Sequence, residues 1–259
     1  VKIFIGGALR TGTTLIHGIL CKDEKTFKMQ KECTYLRFLL QAYTEGKKLW
    51  NVHTDDYFDN PEHFMFANKQ ILSNYFHHIY NRFGKDKIMV QKHPGLIDYF
   101  PELEELFPND CLFIVVLRDP RDAISSFLDF KRFDGYDIQR VTDQYIGSYY
   151  YFMNYYEQKR WMPNVLFVKY EELLTNTNQV MIDLREFTGL ELKNDLTKDT
   201  WESKRGIGGD ELVSELYGKP IDSNNIGKYK ENLSIHEIEY INERKDEIND
   251  ILKQDVFYN

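Results

Sequence analysis

No apolar stretch of this chain approaches the roughly 20 residues a helix needs to cross a bilayer, which argues against a membrane-spanning protein. No signal-peptide layout is present either. Cysteine is scarce: Cys21, Cys33 and Cys111 are odd in number and unrelated in spacing. That excludes a disulfide framework and a zinc pattern and leaves buried free thiols in a reducing compartment, with a Cys21–Cys33 bridge as the weaker alternative. A cytoplasmic location is the matching expectation. Positive charge is in deficit, 33 Lys and Arg against 41 Asp and Glu for a net −8. Nucleic acid is therefore a poor partner, because phosphate backbones demand a basic footprint. A local positive pocket for one anionic cofactor is still allowed. Repeats and low-complexity tracts are missing, and the 259 residues suit one domain spanning 1–259. Aromatic residues, by contrast, are plentiful at 15%, enough for a large core and ring-lined pockets.

Short, continuously apolar runs mark strands buried on both faces, as in a parallel sheet covered by helices. They fall at Lys2 to Ile5, Cys111 to Leu117 and Val165 to Tyr170, with a weaker one at Lys87 to Gln91. Helical patterns lie between them at Pro61 to Phe83, Gly95 to Phe107 and Asp137 to Trp161. A late helix is expected from Ser234 to about Lys253, opened by a Ser234–Glu237 capping box. Alternating strands and helices predict an α/β fold, P-loop-containing, with a doubly wound, mostly parallel sheet flanked by helices and ligands at the strands' carboxyl ends. Glu202 to Asn225, rich in glycine, reads as a surface loop or a lid.

Gly7-Ala-Leu-Arg-Thr-Gly-Thr-Thr14 joins the first strand to a helix. Backbone N–H groups and a helix N-terminus so placed can hold an oxyanion. An ATP-binding loop would carry lysine where Thr13 stands. Its cation is instead Arg10, inside the loop. Such a loop suits a 5′-phosphate better than a magnesium triphosphate. A second anchor follows the strongest strand: Leu117-Arg118-Asp119-Pro120-Arg121-Asp122, with Ser126 two helical turns on. Arginine and hydroxyl together can grip one phosphate.

With these two anchors the chain resembles the sulfotransferases that use 3′-phosphoadenosine 5′-phosphosulfate (PAPS). Leu9 to Thr14 is similar to their 5′-phosphosulfate loop, and Arg118 with Ser126 to their 3′-phosphate motif. Val168-Lys169-Tyr170-Glu171-Glu172-Leu173 resembles the family strand ending in Y-E-x-L, whose tyrosine lies near the adenine. Ile226-Gly227-Lys228-Tyr229-Lys230 resembles the late segment that closes over the nucleotide. Arginine before T-G-T-T is closer to the tyrosylprotein and bacterial branches than to the phenol and steroid enzymes, and Lys92 and His93 are adjacent rather than one residue apart.

The resemblance implies in-line transfer of a sulfuryl group from PAPS to a hydroxyl or amino group of a small-molecule acceptor. The product would be 3′-phosphoadenosine 5′-phosphate (PAP), and no metal is needed. The implied nucleotide ligands are Arg10, Thr11, Gly12, Thr13, Thr14, Arg118, Ser126, Tyr170, Gly227, Lys228 and Lys230. Arg10 would steady the bridging oxygen and 5′-phosphate, and Lys92 the sulfuryl group. Two residues compete for the base: Glu32, at the position similar to the tyrosylprotein enzymes' glutamate, and His93, whose ordinary pKa suits the task. Tyr35, Phe38, Tyr57, Phe58, Phe64, Tyr150 and Trp201 are candidates for the acceptor pocket. A protein-tyrosine acceptor, a P-loop small-molecule kinase and a non-catalytic PAPS-binding module are the alternatives. A homodimer is left open.

Overall fold

The structure, a computed structural model, describes residues 1–129, 135–160, 162–193 and 223–258. Four strands, β1 (Lys2–Gly7), β2 (Met89–Lys92), β3 (Cys111–Leu117) and β4 (Val165–Lys169), form one parallel sheet in the order β2-β1-β3-β4. The register sets Ile5 opposite both Lys92 and Ile114, and Leu117 opposite Lys169.

Alternate strand residues serve opposite faces, as the two-residue period of a strand requires. Phe4, Met89, Phe113, Val115 and Leu117 pack toward one face. Its cover comes from α2 (Thr34–Lys48), α3 (Pro61–Phe83), α4 (Phe100–Leu106), α5 (Pro120–Leu128) and α6 (Ile138–Gln158). Ile3, Ile5, Val90, Ile114 and Val116 pack toward α1 (Thr13–Leu20), α7 (Tyr170–Thr175) and α8 (Thr177–Thr188). The chain runs from β1 outward to β2, then returns to place β3 on the other side of β1. This reversal opens a crevice at the carboxyl ends of β1 and β3, where a doubly wound sheet binds its ligand. Both phosphate anchors read from the sequence leave the sheet there.

Several boundaries differ from the sequence pattern. Gly95 to Phe107 is a 3₁₀ stretch, Pro94–Tyr99, followed by α4. Pro101 has no N–H to return to residue 97, so a continuous α-helix is barred. The late helix is two, α10 (Ile235–Glu243) and α11 (Lys245–Leu252), after a short α9 (Tyr229–Asn232). Arg244 stands at the break, bonded to Asp143 of α6 and to Glu247. Ser234 and Glu237 do form the reciprocal capping box. Tyr170 begins α7 instead of ending β4, and α2 and α8 are helices the pattern did not announce. The three cysteines are free, so the Cys21–Cys33 bridge does not form. Of the expected loop from Glu202, residues 202–222 lie outside the described residues, and Ser223–Asn225 is a 3₁₀ turn.

Candidate active site

The phosphate loop turns twice through left-handed backbone, at Arg10 (φ 68°) and Gly12 (φ 97°). Arg10 bears a real conformational cost there, of order 1–3 kcal/mol for a side chain in this region. Gly12 is constrained twice over, because a Cβ would lie 2.6 Å from the Tyr170 ring. Helix α1 opens on Gly12 without a side-chain cap, and its first N–H groups carry the positive end of the helix dipole into the crevice. The buried Thr11 hydroxyl donates to Ala8 O at 2.8 Å and braces the loop from within. Thr13 is buried at the helix start, and Thr14 is half-buried beside it.

Arg118 ties the motifs together. It leaves the end of β3, and its guanidinium donates through Nη1 to Arg10 O (2.9 Å) and through Nη2 to Asn225 O (3.1 Å). Its Cζ lies 4.5 Å from the centre of the Tyr170 ring. One guanidinium thus joins the phosphate loop, the tyrosine motif and the residue that precedes the late glycine-and-lysine segment. Its Nε is buried with no partner. Arg10 reaches the same place, where Nε donates to Ser126 Oγ at 3.1 Å. Burial first, and the charge of Arg118 second, lower the Arg10 pKa. Two guanidinium groups crowded together at a helix N-terminus favour a bound anion. The Arg10 side chain therefore lies with Arg118 and Ser126 in this structure, while its backbone shapes the loop.

Lys92, Glu32 and His93 form the second cluster. Lys92 ends β2 with its side chain 6% exposed, and Nζ donates to Glu32 Oε1 at 2.7 Å. Cys33 N donates to Lys92 O at 3.0 Å and Gln91 Nε2 to Gln30 Oε1 at 3.2 Å, so segment 30–33 lies along the end of β2. His93 Nε2 is 3.8 Å from Glu32 Oε2. Burial, opposed in part by Glu32, pushes the His93 pKa down to about 4. Both candidate bases thus share one site with Lys92. Behind them His17, wholly buried on α1, is held neutral, its pKa pushed down to about 3 by burial and by Lys92.

Of the acceptor-pocket candidates, Tyr35 and Phe38 are exposed on α2, the helix that directly follows Glu32. Tyr35 lies 5.8 Å, ring to ring, from Tyr75, whose hydroxyl donates to Gln91 Oε1. Phe64 is instead a core residue packed on Tyr43, Trp50 and Phe58. Tyr57 and Tyr150 are exposed, and Trp201 lies outside the described residues. Lys228 and Lys230 are exposed on either side of buried Tyr229. Gly227, before them, is in the left-handed region at φ 78°.

A sequence model of the sulfotransferase family matches residues 2–194. The chain belongs to this family. No curated protein matches its sequence significantly. Among solved structures, this sulfotransferase is similar to the sulfotransferase domain from the curacin biosynthetic pathway, at 16% identity and TM-score 0.62 over 98% of this chain and 97% of that one. It is also similar to the sulfotransferase domain of the Synechococcus PCC 7002 olefin synthase, at 16% identity and TM-score 0.58 over 93% of each. Mouse sulfotransferase SULT7A1, complexed with PAP, aligns at 11% identity and TM-score 0.56 over 96% of this chain and 84% of that one. At such identities the likeness is one of fold.

Several residues that shape this crevice carry no motif of their own in the sequence. The Tyr145 and Tyr149 hydroxyls of α6 donate to Arg118 O (2.7 Å) and Val116 O (2.8 Å), satisfying carbonyls where β3 ends. Glu171 Oε1 accepts the Asp119 N–H at 2.9 Å. Burial pushes the Glu171 pKa up to about 7. Asp119 caps Arg121 N and also accepts Tyr258 N (2.8 Å), while Arg121 Nη2 donates to Tyr258 O (2.7 Å). Glu171 pairs with a backbone N–H fifty-two positions away and Asp119 with Tyr258, 139 positions away, and no local pattern announces either contact.

Proposed function

We propose that this sulfotransferase moves the sulfuryl group of PAPS to a hydroxyl or amino group of a small-molecule acceptor. The reading rests on one observation above the others: the Arg118 guanidinium, bonded to the phosphate loop and packed on Tyr170, with Ser126 and Arg10 beside it. A phosphate at Arg118 and Ser126 would be the ribose 3′-phosphate, which ATP lacks. Arg10, Thr11, Gly12, Thr13 and Thr14 would hold the 5′ end. Tyr170 would stand near the adenine, and Gly227, Lys228 and Lys230 would close the far side.

PAPS, when bound, supplies an activated sulfur joined to a phosphate that leaves readily. The chain's own part is to position groups and to meet developing charge. The acceptor oxygen or nitrogen forms its bond to sulfur as the bridging S–O bond breaks. The acceptor proton passes to Glu32, and the bond electrons stay on the 5′-phosphate near the loop's N–H groups, toward which Arg10 turns from the contact with Ser126 that it makes in this structure. Glu32 accepts a charged hydrogen bond from Lys92 in this structure. As Lys92 turns toward the sulfuryl oxygens, the Glu32 carboxylate it now holds is left free to face the acceptor. His93 is unprotonated at neutral pH, but a pKa near about 4 makes it a weak base. Charge on the leaving group is met by these cations without a metal ion.

The test compares ligands by thermal stabilisation. PAP at 100 times its Kd should stabilise the fold by about 2.7 kcal/mol. ATP at the same concentration should do much less, and an equal or larger effect of ATP would overturn the reading. A PAPS-loaded acceptor screen, read by mass gain of one sulfo group, then identifies the acceptor.

A further inference from the structure

Asp122 lies in the first turn of α5, four residues before Ser126 and so on the same face of the helix. A carboxylate one turn from a phosphate-binding hydroxyl is electrostatically unfavourable, and this one is 2% exposed. Its oxygens do not cap its own helix, a task that Asp119 performs. They reach across to the late segment instead. Oδ2 accepts Gly227 N at 2.7 Å and Oδ1 accepts Tyr229 N at 3.0 Å.

Both donors flank Lys228, so a single carboxylate grips the backbone on either side of that lysine. Two residues earlier, Asn225 O accepts from Arg118. The Tyr229 ring packs 4.5 Å from the Arg121 guanidinium. Lys230 Nζ folds back to 3.9 Å from where a Gly227 Cβ would stand. The left-handed Gly227 lets the chain turn sharply enough for both N–H groups to face Asp122. The segment is therefore fixed to the junction of β3 and α5 by hydrogen bonds of both polarities. Arg118 donates into it, and Asp122 accepts from it.

We propose that Asp122 is a positioning residue for the nucleotide: it holds the Gly227–Tyr229 backbone so that Lys228 meets the 3′-phosphate gripped by Arg118 and Ser126. This rests on the PAPS reading of the site. It also accounts for the misplaced charge, since two backbone donors stabilise the carboxylate and its geometric contribution outweighs its repulsion of the phosphate.

The two effects predict opposite signs, which makes the test decisive. If Asp122 acted only through its charge, Asp122→Asn would tighten binding of PAP. As a positioning residue, its loss weakens PAP by roughly tenfold, the scale set by charge-assisted bonds to backbone N–H groups. Asp122→Ala should weaken it further. Adenosine 5′-diphosphate, which has no 3′-phosphate, should bind wild type and variants alike. In turnover, KM for PAPS rises while kcat holds. Lys228→Ala should show the same selective loss, and adding Asp122→Asn to it should change PAP affinity little.

Calorimetric titration of PAP and adenosine 5′-diphosphate reads all of this, with circular dichroism confirming that each variant is folded. If Asp122→Ala does not fold, the Asn variant and the Lys228 cycle decide alone. Unchanged or tighter PAP binding in Asp122→Asn overturns the inference and leaves the PAPS reading intact. A wild type indifferent to the 3′-phosphate overturns the PAPS reading itself.

Discussion

Arg10 Nε donates to Ser126 Oγ at 3.1 Å, so the cation of the phosphate loop is tied to the helix that follows β3. The two anchors that the sequence separates by more than a hundred positions are one connected site. Their contributions to nucleotide binding should therefore be coupled. Arg10→Ala and Ser126→Ala should each weaken PAP by about 1–2 kcal/mol, and the double variant by less than the sum. Isothermal titration of the four proteins measures the coupling; strict additivity would show that the link carries no energy.

The left-handed backbone at Arg10 predicts a trade between stability and function. Arg10→Gly and Arg10→Ala both remove the cation and should lose most turnover. They should differ in stability, because only glycine tolerates φ 68° without steric cost. The glycine variant is expected to be more stable than the alanine variant by about 1 kcal/mol in urea denaturation. Equal midpoints would mean that the loop relaxes once the guanidinium is gone.

Lys92 and Glu32 are joined at 2.7 Å, and both should govern kcat more than nucleotide affinity. Glu32→Gln is expected to lower kcat by roughly 10²–10⁴, the range for loss of a general base. Lys92→Met should lower kcat comparably with PAP affinity little changed. His93→Asn should cost less than tenfold, since its proton affinity is already depressed. Single-turnover rates with any acceptor from the screen decide the order, and a His93 variant worse than the Glu32 variant would reassign the base.

Buried ionisable groups give pH signatures of opposite sign. His17, with an ordinary pKa of 6.5, sits near about 3 in the folded protein, so its contribution to stability is complete above pH 6.5 and is lost as pH falls toward 3. Replacing it by Asn removes a slope of about 1.4 kcal/mol per pH unit in that window. The stability of His17→Asn relative to wild type should accordingly rise from pH 7 to pH 5. Glu171 is raised from 4.5 to about 7, so its contribution is complete below pH 4.5 and is lost as pH rises through 7. Glu171→Gln should gain on wild type as pH rises from 4.5 to 7. Urea midpoints across pH 4.5 to 7.5 test both, and parallel curves for variant and wild type would refute the assignments.

Local patterns sufficed for the parts built from neighbouring residues. Continuous apolar runs placed β1 and β3, because a strand covered on both faces has no polar side to show. The capping box at Ser234 is backbone chemistry confined to a few residues, and it is present. Helix α2 escaped notice because it buries only Leu36, Leu40 and Tyr43 and exposes apolar rings on its other side, which blurs the helical period.

The sequence alone determined the loop lacking its lysine, the arginine and serine after β3, the order of the motifs, and hence the family. All of these reside in residue identity and short spacing. Only the tertiary structure decided which groups meet. It placed Glu32 on Lys92, Arg118 on the phosphate-loop carbonyl and Asn225, and Asp122 on the backbone around Lys228. Those contacts join residues sixty to more than a hundred positions apart. They follow from the reversal of strand order at β1 and β3, which brings loops from separate parts of the chain to one edge of the sheet, and no local pattern encodes that distance.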